Sequence, residues 1–214
     1  MAATLVTVPT DEPFNLAELK AHLRVTATAE DDVIHALATA ARQRVEEEIK
    51  RALITQTWDY KFDWFEPPTS TGNSPLVVNK ARIIELPRPP LQSVSYVTYL
   101  NSNQNTIYLY DAVGSPTVTS SLVVDSTSSP GRIIPSSQAA WPTAYDQINA
   151  ITVRYVAGYG DTGDSVPTPI KQAILLLVGH WYENRETVNI GNITTEIPMT
   201  VEFLLAPYRI IDIF

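Results

Sequence analysis

Arg51-Ala-Leu-Ile-Thr-Gln-Thr-Trp-Asp-Tyr-Lys-Phe-Asp-Trp64 is the stretch in which the spacing of the apolar residues changes. Before it, from Val33 onward, apolar residues recur every three or four positions, which predicts an amphipathic helix that ends near Leu53. From Thr55 onward, aromatic residues alternate with charged ones, which predicts a half-buried strand. The chain therefore combines helices and strands, and Thr55 marks a boundary between them.

Two N-terminal signals precede the long helix. Asn15 is followed three residues later by Glu18, a capping box that predicts a short helix reaching about Leu23. Thr28 and Asp31 repeat the same spacing, so we expect the long helix to be capped in the same way.

Two more helices are predicted near the C-terminus. One begins at Pro167 or Pro169, because proline is favoured in a first helical turn. Its residues Gln172–Tyr182 are apolar almost all round, which is typical of a helix buried on more than one side. That stretch is too short to cross a bilayer, so no membrane partner is expected. A short helix over Val201–Ala206 precedes Pro207.

The section between the helices contains short runs with the composition of strands. Turn-rich pieces separate them, which is typical of a small antiparallel sheet or barrel. The predicted strands are Leu76–Leu86, Ser93–Leu100, Thr106–Tyr110, Thr117–Val124, Arg132–Pro135 and Ile148–Ala157.

Charge divides the chain in the same way. Residues 55–157 hold seven of the 23 acidic and six of the 15 basic residues, so most of the net charge of −8 lies in the flanks. We predict a helical assembly core with a C-terminal docking tail over residues 1–54 and 158–214, and an inserted β-rich subdomain over residues 55–157. The expected fold class is α+β, with an antiparallel helical bundle core and an inserted antiparallel β-rich subdomain.

Composition excludes several classes of function. The chain has no cysteine, so disulfides, thiol nucleophiles and thiolate metal sites are excluded. The acidic balance argues against a module that grips nucleic acid. The first residues lack a cationic region followed by an apolar run, so no secretory signal is expected.

The glycine-rich stretch Gly158–Gly163 fits the G-x-G-x-x-G pattern of dinucleotide sites. However, Asp161 and Asp164 would place negative charge against a pyrophosphate, and no strand completes a βαβ unit. Asp161-Thr-Gly is also the tripeptide of aspartic proteases, whose chemistry needs two carboxylates that share a proton. We interpret the stretch as a turn.

His180 and Glu183 lie three residues apart on a predicted helix and could form a metal pair, with His22 or His35 as a third ligand. A histidine beside Trp181 in an apolar helix is more often a satisfied core group. We therefore predict no enzyme, no catalytic residue, no metal and no cofactor. A metal-dependent enzyme built around His180 is the alternative from this observation.

Tryptophans in the β-rich section offer a different alternative. Trp58, Trp64 and Trp141 could form a sugar-binding platform, although alternating aromatic residues are more often the core of a sheet. The alternative function is therefore a carbohydrate- or receptor-binding structural module that acts through the β-rich section.

A set of motifs in a fixed order resembles the head–tail connector (adaptor) proteins of tailed bacteriophages and prophages. The order of the motifs is more specific than any one of them, and together they span most of the chain, although Asn101–Pro130 shows no match. The motifs are Glu12–Arg24, Arg51–Trp58, Leu86–Val94, Val153–Gly160, Ile170–Glu186 and Leu204–Arg209.

The resemblance implies a structural virion protein in the neck of the particle, present in the host cytoplasm during assembly. It implies a homo-oligomeric ring of about twelve copies under the portal, which joins capsid to tail. Implied partners are the portal protein, neighbouring copies and a tail-terminator or stopper protein. DNA would pass through the ring without sequence-specific binding, and the acidic balance would favour sliding over sticking.

Two groups of residues are expected to form the assembly contacts and the core of the protein. The apolar tail is expected to dock on the portal or a ring neighbour, with its own subunit as the alternative. Its docking candidates are Tyr208, Arg209, Ile210, Ile211, Ile213 and Phe214. The helical core is expected to contain Leu37, Val45, Ile174, Leu177 and Trp181.

Overall fold

A computed structural model of the chain describes residues 2–65, 83–112, 122–136, 140–184 and 199–210. Within them the α-helices are α1 (Leu16–Leu23), α2 (Asp31–Ile49), α3 (Thr168–Glu183) and α4 (Met199–Leu205). The strands are β1 (Ala2–Thr7), β2 (Gln56–Phe62), β3 (Ile84–Leu86), β4 (Leu91–Leu100), β5 (Thr106–Asp111), β6 (Leu122–Asp125), β7 (Gly131–Pro135) and β8 (Ile151–Ala157).

The predicted antiparallel helical bundle core is wrong. The eight described strands form two antiparallel sheets, one in the order β1-β2-β8-β4-β5 and one in the order β3-β7-β6, so the fold is mixed α+β. The described helices do not form a bundle because α1 has eight residues and α4 has seven, so among them only α2 and α3 are long enough to pack along each other.

The chain divides into two compact units. The sheet unit comprises Met1–Val8 and Gln56–Gly158, and the helical unit comprises Pro9–Thr55 and Tyr159–Phe214.

The ends of the helices follow from local hydrogen bonds. The capping box predicted at Asn15 and Glu18 is confirmed, since each side chain accepts a hydrogen bond from the other residue's backbone N–H. The cap predicted at Thr28 is wrong, because Glu30 is the N-cap of α2 and its side chain makes no capping bond. α2 ends at Ile49, before the predicted Leu53, because the next residue adopts a left-handed conformation.

The helical unit has an aliphatic core. α2 and α3 pack together, and α1 and α4 cover the same cluster. Every large side chain at its centre is buried, which at roughly 1.5–3 kcal/mol for each is the main stabilising contribution to this unit. Among the described residues, no helix is both long and apolar enough to span a membrane.

The large sheet of the sheet unit is built around β8, which lies between β2 and β4. β8 alternates strictly, and its buried residues are Ile151, Val153, Tyr155 and Ala157. β2 lies where the alternation predicted a strand, but Trp64 lies beyond its end and is 62% exposed. Asp59 in β2 is instead buried, because Arg154 on β8 lies opposite and neutralises it.

Candidate assembly surfaces

The first residues of the expected docking tail lie against the C-terminal end of α2. Arg51 Nε donates a hydrogen bond to the carbonyl oxygen of Tyr208 at 2.6 Å. The N–H of Ile210 donates to the carbonyl oxygen of Ile49 at 3.1 Å, which satisfies one of the carbonyls that a helix end leaves unpaired. These bonds hold Tyr208 and Ile210 against the C-terminal end of α2.

Exposure differs along this segment. Tyr208 and Ile210 are half-buried, whereas Arg209 is exposed and forms an ion pair with Glu48 on α2. Tyr208 through Ile210 therefore contact their own subunit. The other docking candidates, Ile211, Ile213 and Phe214, lie outside the described residues.

The candidates for the helical core lie in or against one cluster. Val45 and Ile174 are fully buried and Leu177 is 1% exposed. Leu37 and Trp181 are half-buried and pack against the same cluster. All five therefore contact the interface between α2 and α3 or its margin.

α4 carries apolar side chains on two faces. Val201 and Leu205 are buried in the helical unit. Met199 and Phe203 are 83% and 80% exposed, and residues four positions apart share one face of a helix. We call these two side chains the outer face of α4; a helix with a second apolar face is typical of a helix that is covered on both sides.

A buried ion-pair network holds the segment before α1 to α2. Arg42 Nε contacts Glu12 Oε2 and Arg42 Nη1 contacts Glu46 Oε2, each at 2.7 Å. Burial alone would lower the pKa of Arg42, but its hydrogen bonds and charge contacts with the two carboxylates raise it above the usual value. Glu46 also accepts a hydrogen bond from the N–H of Leu53 at 2.8 Å, so it fixes the chain beyond the helix end.

The glycine-rich stretch is a turn, as predicted. Gly160 forms an isolated bridge with Ile54, and Gly163 begins a three-residue 3₁₀-helix before α3 starts at Thr168. A Cβ at Gly163 would lie 2.3 Å from the carbonyl oxygen of Pro13, so this position requires glycine because of a close approach within the protein.

His180 and His22, which could have been metal ligands, have different surroundings. His180 is half-buried beside Asn184, with 3.4 Å between His180 Nδ1 and Asn184 Nδ2, while Glu183 is exposed. His22 lies beside Gly179 of α3, since a Cβ at Gly179 would be 3.5 Å from His22 Nε2. In the part of the chain that the structure describes, no group of three or more possible ligands could hold a metal ion.

The three tryptophans have separate surroundings. Trp141 stacks on Phe65 with 4.6 Å between ring centroids, and Arg88 lies 5.4 Å above the ring of Trp58. Trp64 is mostly exposed. Within the described ranges, no two of these indoles are in ring contact with each other.

Sequence reasoning missed β1. Its six residues are all exposed, and the strand pairs in antiparallel fashion with β2. The signal was the run Thr4-Leu-Val-Thr-Val8, which is rich in β-branched residues. The outer face of α4, Trp64 and β1 expose apolar side chains, and exposed apolar surface is typical of a protein that assembles with others.

Comparison with known proteins agrees with that class. The family described as "Phage gp6-like head-tail connector protein" matches residues 14–105 and 140–209. Because the match covers most of the chain, the chain belongs to this family, and the resemblance found from its motifs is confirmed. The family is one of structural phage connectors and not a class of enzymes.

Solved structures of gene transfer agent (GTA) particles share the fold. A chain in the virion of the native GTA particle is 19% identical with a TM-score of 0.74, and one in the neck of the empty particle, computed with C6 symmetry, is 19% identical with a TM-score of 0.71. A chain in the neck of the native particle, computed with C12 symmetry, is 18% identical with a TM-score of 0.67. Each alignment covers 100% of this chain and 98% of the other. No curated protein matches the chain significantly.

Proposed function

We propose that this chain is the connector that forms a ring in the neck of a phage particle, beneath the portal, and joins the capsid to the tail. The observation that carries the proposal is the family match over residues 14–105 and 140–209. The necks of GTA particles that contain chains of the same fold were computed with C6 and C12 symmetry, which supports a ring, with twelve copies as the expected number.

The helical unit is the part that we propose as the assembly core, and the sheet unit, which holds nearly all of the section 55–157, is the proposed β-rich part. A ring is built from head-to-tail contacts, so each copy must present two different surfaces to its neighbours. The outer face of α4 supports this requirement, because large apolar side chains with about 80% exposure are energetically costly in water and are typical of interfaces.

The tail beyond Ile210 is the proposed contact with the portal. The bonds from Arg51 to Tyr208 and from Ile210 to Ile49 would anchor the base of the tail and leave Ile211, Ile213 and Phe214 to dock. Large aliphatic and aromatic side chains of this kind usually dominate binding energy. A tail-terminator or stopper protein is the proposed partner on the tail side.

We propose that DNA passes through the ring without sequence-specific binding. The net charge of −8 gives the chain little attraction for phosphates. A bore with like charge would let DNA move through it instead of binding it.

A truncation tests the portal contact. Deleting residues 211–214 keeps the described anchor at Tyr208–Ile210, so the protein should stay folded with an unchanged melting temperature. We expect it to lose attachment to its cognate portal when complexes are imaged by negative-stain electron microscopy. Phe203→Ser should leave the fold intact and weaken ring formation, because it removes the largest exposed side chain of α4.

Val123→Ser is the matched control, since Val123 is also an exposed apolar residue but lies on β6, away from both proposed contacts in the sequence. It should assemble like the unmodified protein. A truncated chain that still decorates portals normally would show that the tail is not the portal contact. Unmodified protein that forms no ring with or without the portal would overturn the proposed function itself.

A further inference from the structure

β1 is the terminal strand of the five-stranded sheet, and all six of its residues are exposed. It pairs with β2 along one edge, with Ala2 opposite Lys61 and Leu5 opposite Trp58, and a register shift precedes Thr7. Within the described residues, no strand pairs with its other edge. Hydrogen bonds to a single neighbour must therefore offset most of the entropy of ordering these residues, because no side chain of β1 is fully buried.

The free edge of β1 lacks most of the features that protect edge strands. From Ala2 to Val8 there is no charged residue and no proline, and the register shift before Thr7 is the one irregularity in its pairing. Leu5 and Val6 are 38% and 44% exposed, and Val8 beyond the strand is 65% exposed. Natural edges without charges or prolines pair readily with another strand, so this edge has the character of a binding surface.

The distribution of charge along the chain indicates which partner covers the free edge of β1. Each copy carries a net charge of −8, so copies in a ring repel one another wherever their acidic surfaces approach. Residues 55–157 are close to neutral and β1 carries no charge, so the sheet edge is where two copies can approach with little repulsion. A partner recognised by its charge would find no opposite charge on β1.

We propose that the outer edge of β1 pairs with an extended segment of a neighbouring copy of this chain, which continues the sheet from one subunit to the next. This inference rests on the ring proposed above and names one of its two contact surfaces. Backbone hydrogen bonds would supply the pairing, and Leu5, Val6 and Val8 would become buried against the neighbour.

Hydrogen–deuterium exchange of the unmodified protein tests the pairing directly. In unassembled protein, the backbone N–H groups on the free edge of β1 should exchange rapidly. In rings assembled on the portal, their exchange should slow by about tenfold or more, because each would donate to a neighbour. Equal exchange of β1 in free protein and in rings would overturn this inference and leave the proposed function standing.

A matched pair of substitutions gives the second test. Val6→Lys places on β1 the charge that protects natural edges. Val123→Lys makes the same change on β6, at a valine of similar exposure, 48% against 44%. Both variants should melt like the unmodified protein, since exposed substitutions usually change stability by less than about 0.5 kcal/mol.

The two variants should then differ in assembly. We expect Val6→Lys to lower the fraction of protein in rings by about tenfold, and Val123→Lys to leave it unchanged. Normal ring formation by Val6→Lys would overturn the inference. If the unmodified protein forms no rings, the proposed function fails and this inference fails with it.

Discussion

Arg42 in the helical unit and Arg154 in the sheet unit bind carboxylates at the same distance in different surroundings. Arg42 lies between Glu12 and Glu46 at 2.7 Å, and its side chain is 7% exposed. Arg154 binds Asp59 through two bonds of 2.7 and 2.8 Å, and its side chain is 33% exposed. We therefore expect the two pairs to contribute differently to stability at the same distance, because solvent screens the more exposed guanidinium of Arg154 more than that of Arg42.

The two arginines also differ in what they connect. Arg42 joins segments 30 residues apart in the sequence, and its partner Glu46 holds the N–H of Leu53. Arg154 joins two adjacent strands and lies over the ring of Tyr96 at 5.1 Å. Loss of Arg42 would thus disturb several segments, and loss of Arg154 one face of a sheet.

The largest effect is expected for Arg42→Ala. The substitution would remove the guanidinium that Glu12 and Glu46 share in a mostly buried site, which typically costs about 3–5 kcal/mol of unfolding free energy. Urea denaturation followed by circular dichroism measures it. Arg44→Ala is the control, because Arg44 forms an exposed pair with Glu48 one turn along the same helix and should cost less than about 1 kcal/mol. Equal losses from the two variants would contradict the role given to burial.

A smaller loss is expected for Arg154→Lys. Lysine keeps the charge but cannot make the two parallel bonds to Asp59, and its ammonium interacts less well with an aromatic face. We expect a loss of about 1 kcal/mol, because half of a charge-assisted pair remains. The same substitution in an Asp59→Asn background should cost less, and a double-mutant cycle measures the difference. A coupling close to zero would show that the bidentate geometry contributes nothing.

The sequence predicted features that depend on neighbouring residues. The capping box at Asn15 and the start of α3 after Pro167 are determined within a few positions, so they could be recognised. The alternation from Thr55 gave the position of β2 for the same reason. The family itself was recognisable because its motifs occur in a fixed order along the chain.

The features that were missed depend on residues far apart in the sequence. The pair between Asp59 and Arg154 spans 95 residues, so an aspartate in an alternating strand looked like a solvent-facing residue although it is buried. β1 was missed because it is short and exposed, and short apolar runs carry no clear period. The bundle was predicted because long helical stripes are easier to detect than the pairing that joins β1 to residues near position 60.

The smallest effect is expected for Asp125→Asn in the three-stranded sheet, where its partner Arg132 is exposed and water reaches the pair. The hydroxyl of Thr127 donates to Asp125 Oδ1 at 2.6 Å and Arg132 Nε donates to Oδ2 at 2.8 Å. The bond from Thr127 has the largest effect and that from Arg132 the next, and together they hold the pKa of Asp125 well below its ordinary value. Because the carboxylate has the lower pKa in the folded protein, its contribution to the free energy of unfolding is present above the unfolded pKa of about 3.9 and disappears as pH falls towards the folded pKa.

Asp125→Asn should therefore melt at a slightly lower temperature than the unmodified protein at pH 7, and the difference should shrink at pH 3. Thr127→Val, which removes one donor and keeps the carboxylate, should show part of the same pH-dependent difference. If Asp125→Asn and the unmodified protein differ in melting temperature by the same amount at pH 7 and pH 3, screening by water abolishes the contribution of this carboxylate. The contribution to stability would then fall from the buried Arg42 pairs through the Arg154 pair to zero for the Asp125 pair.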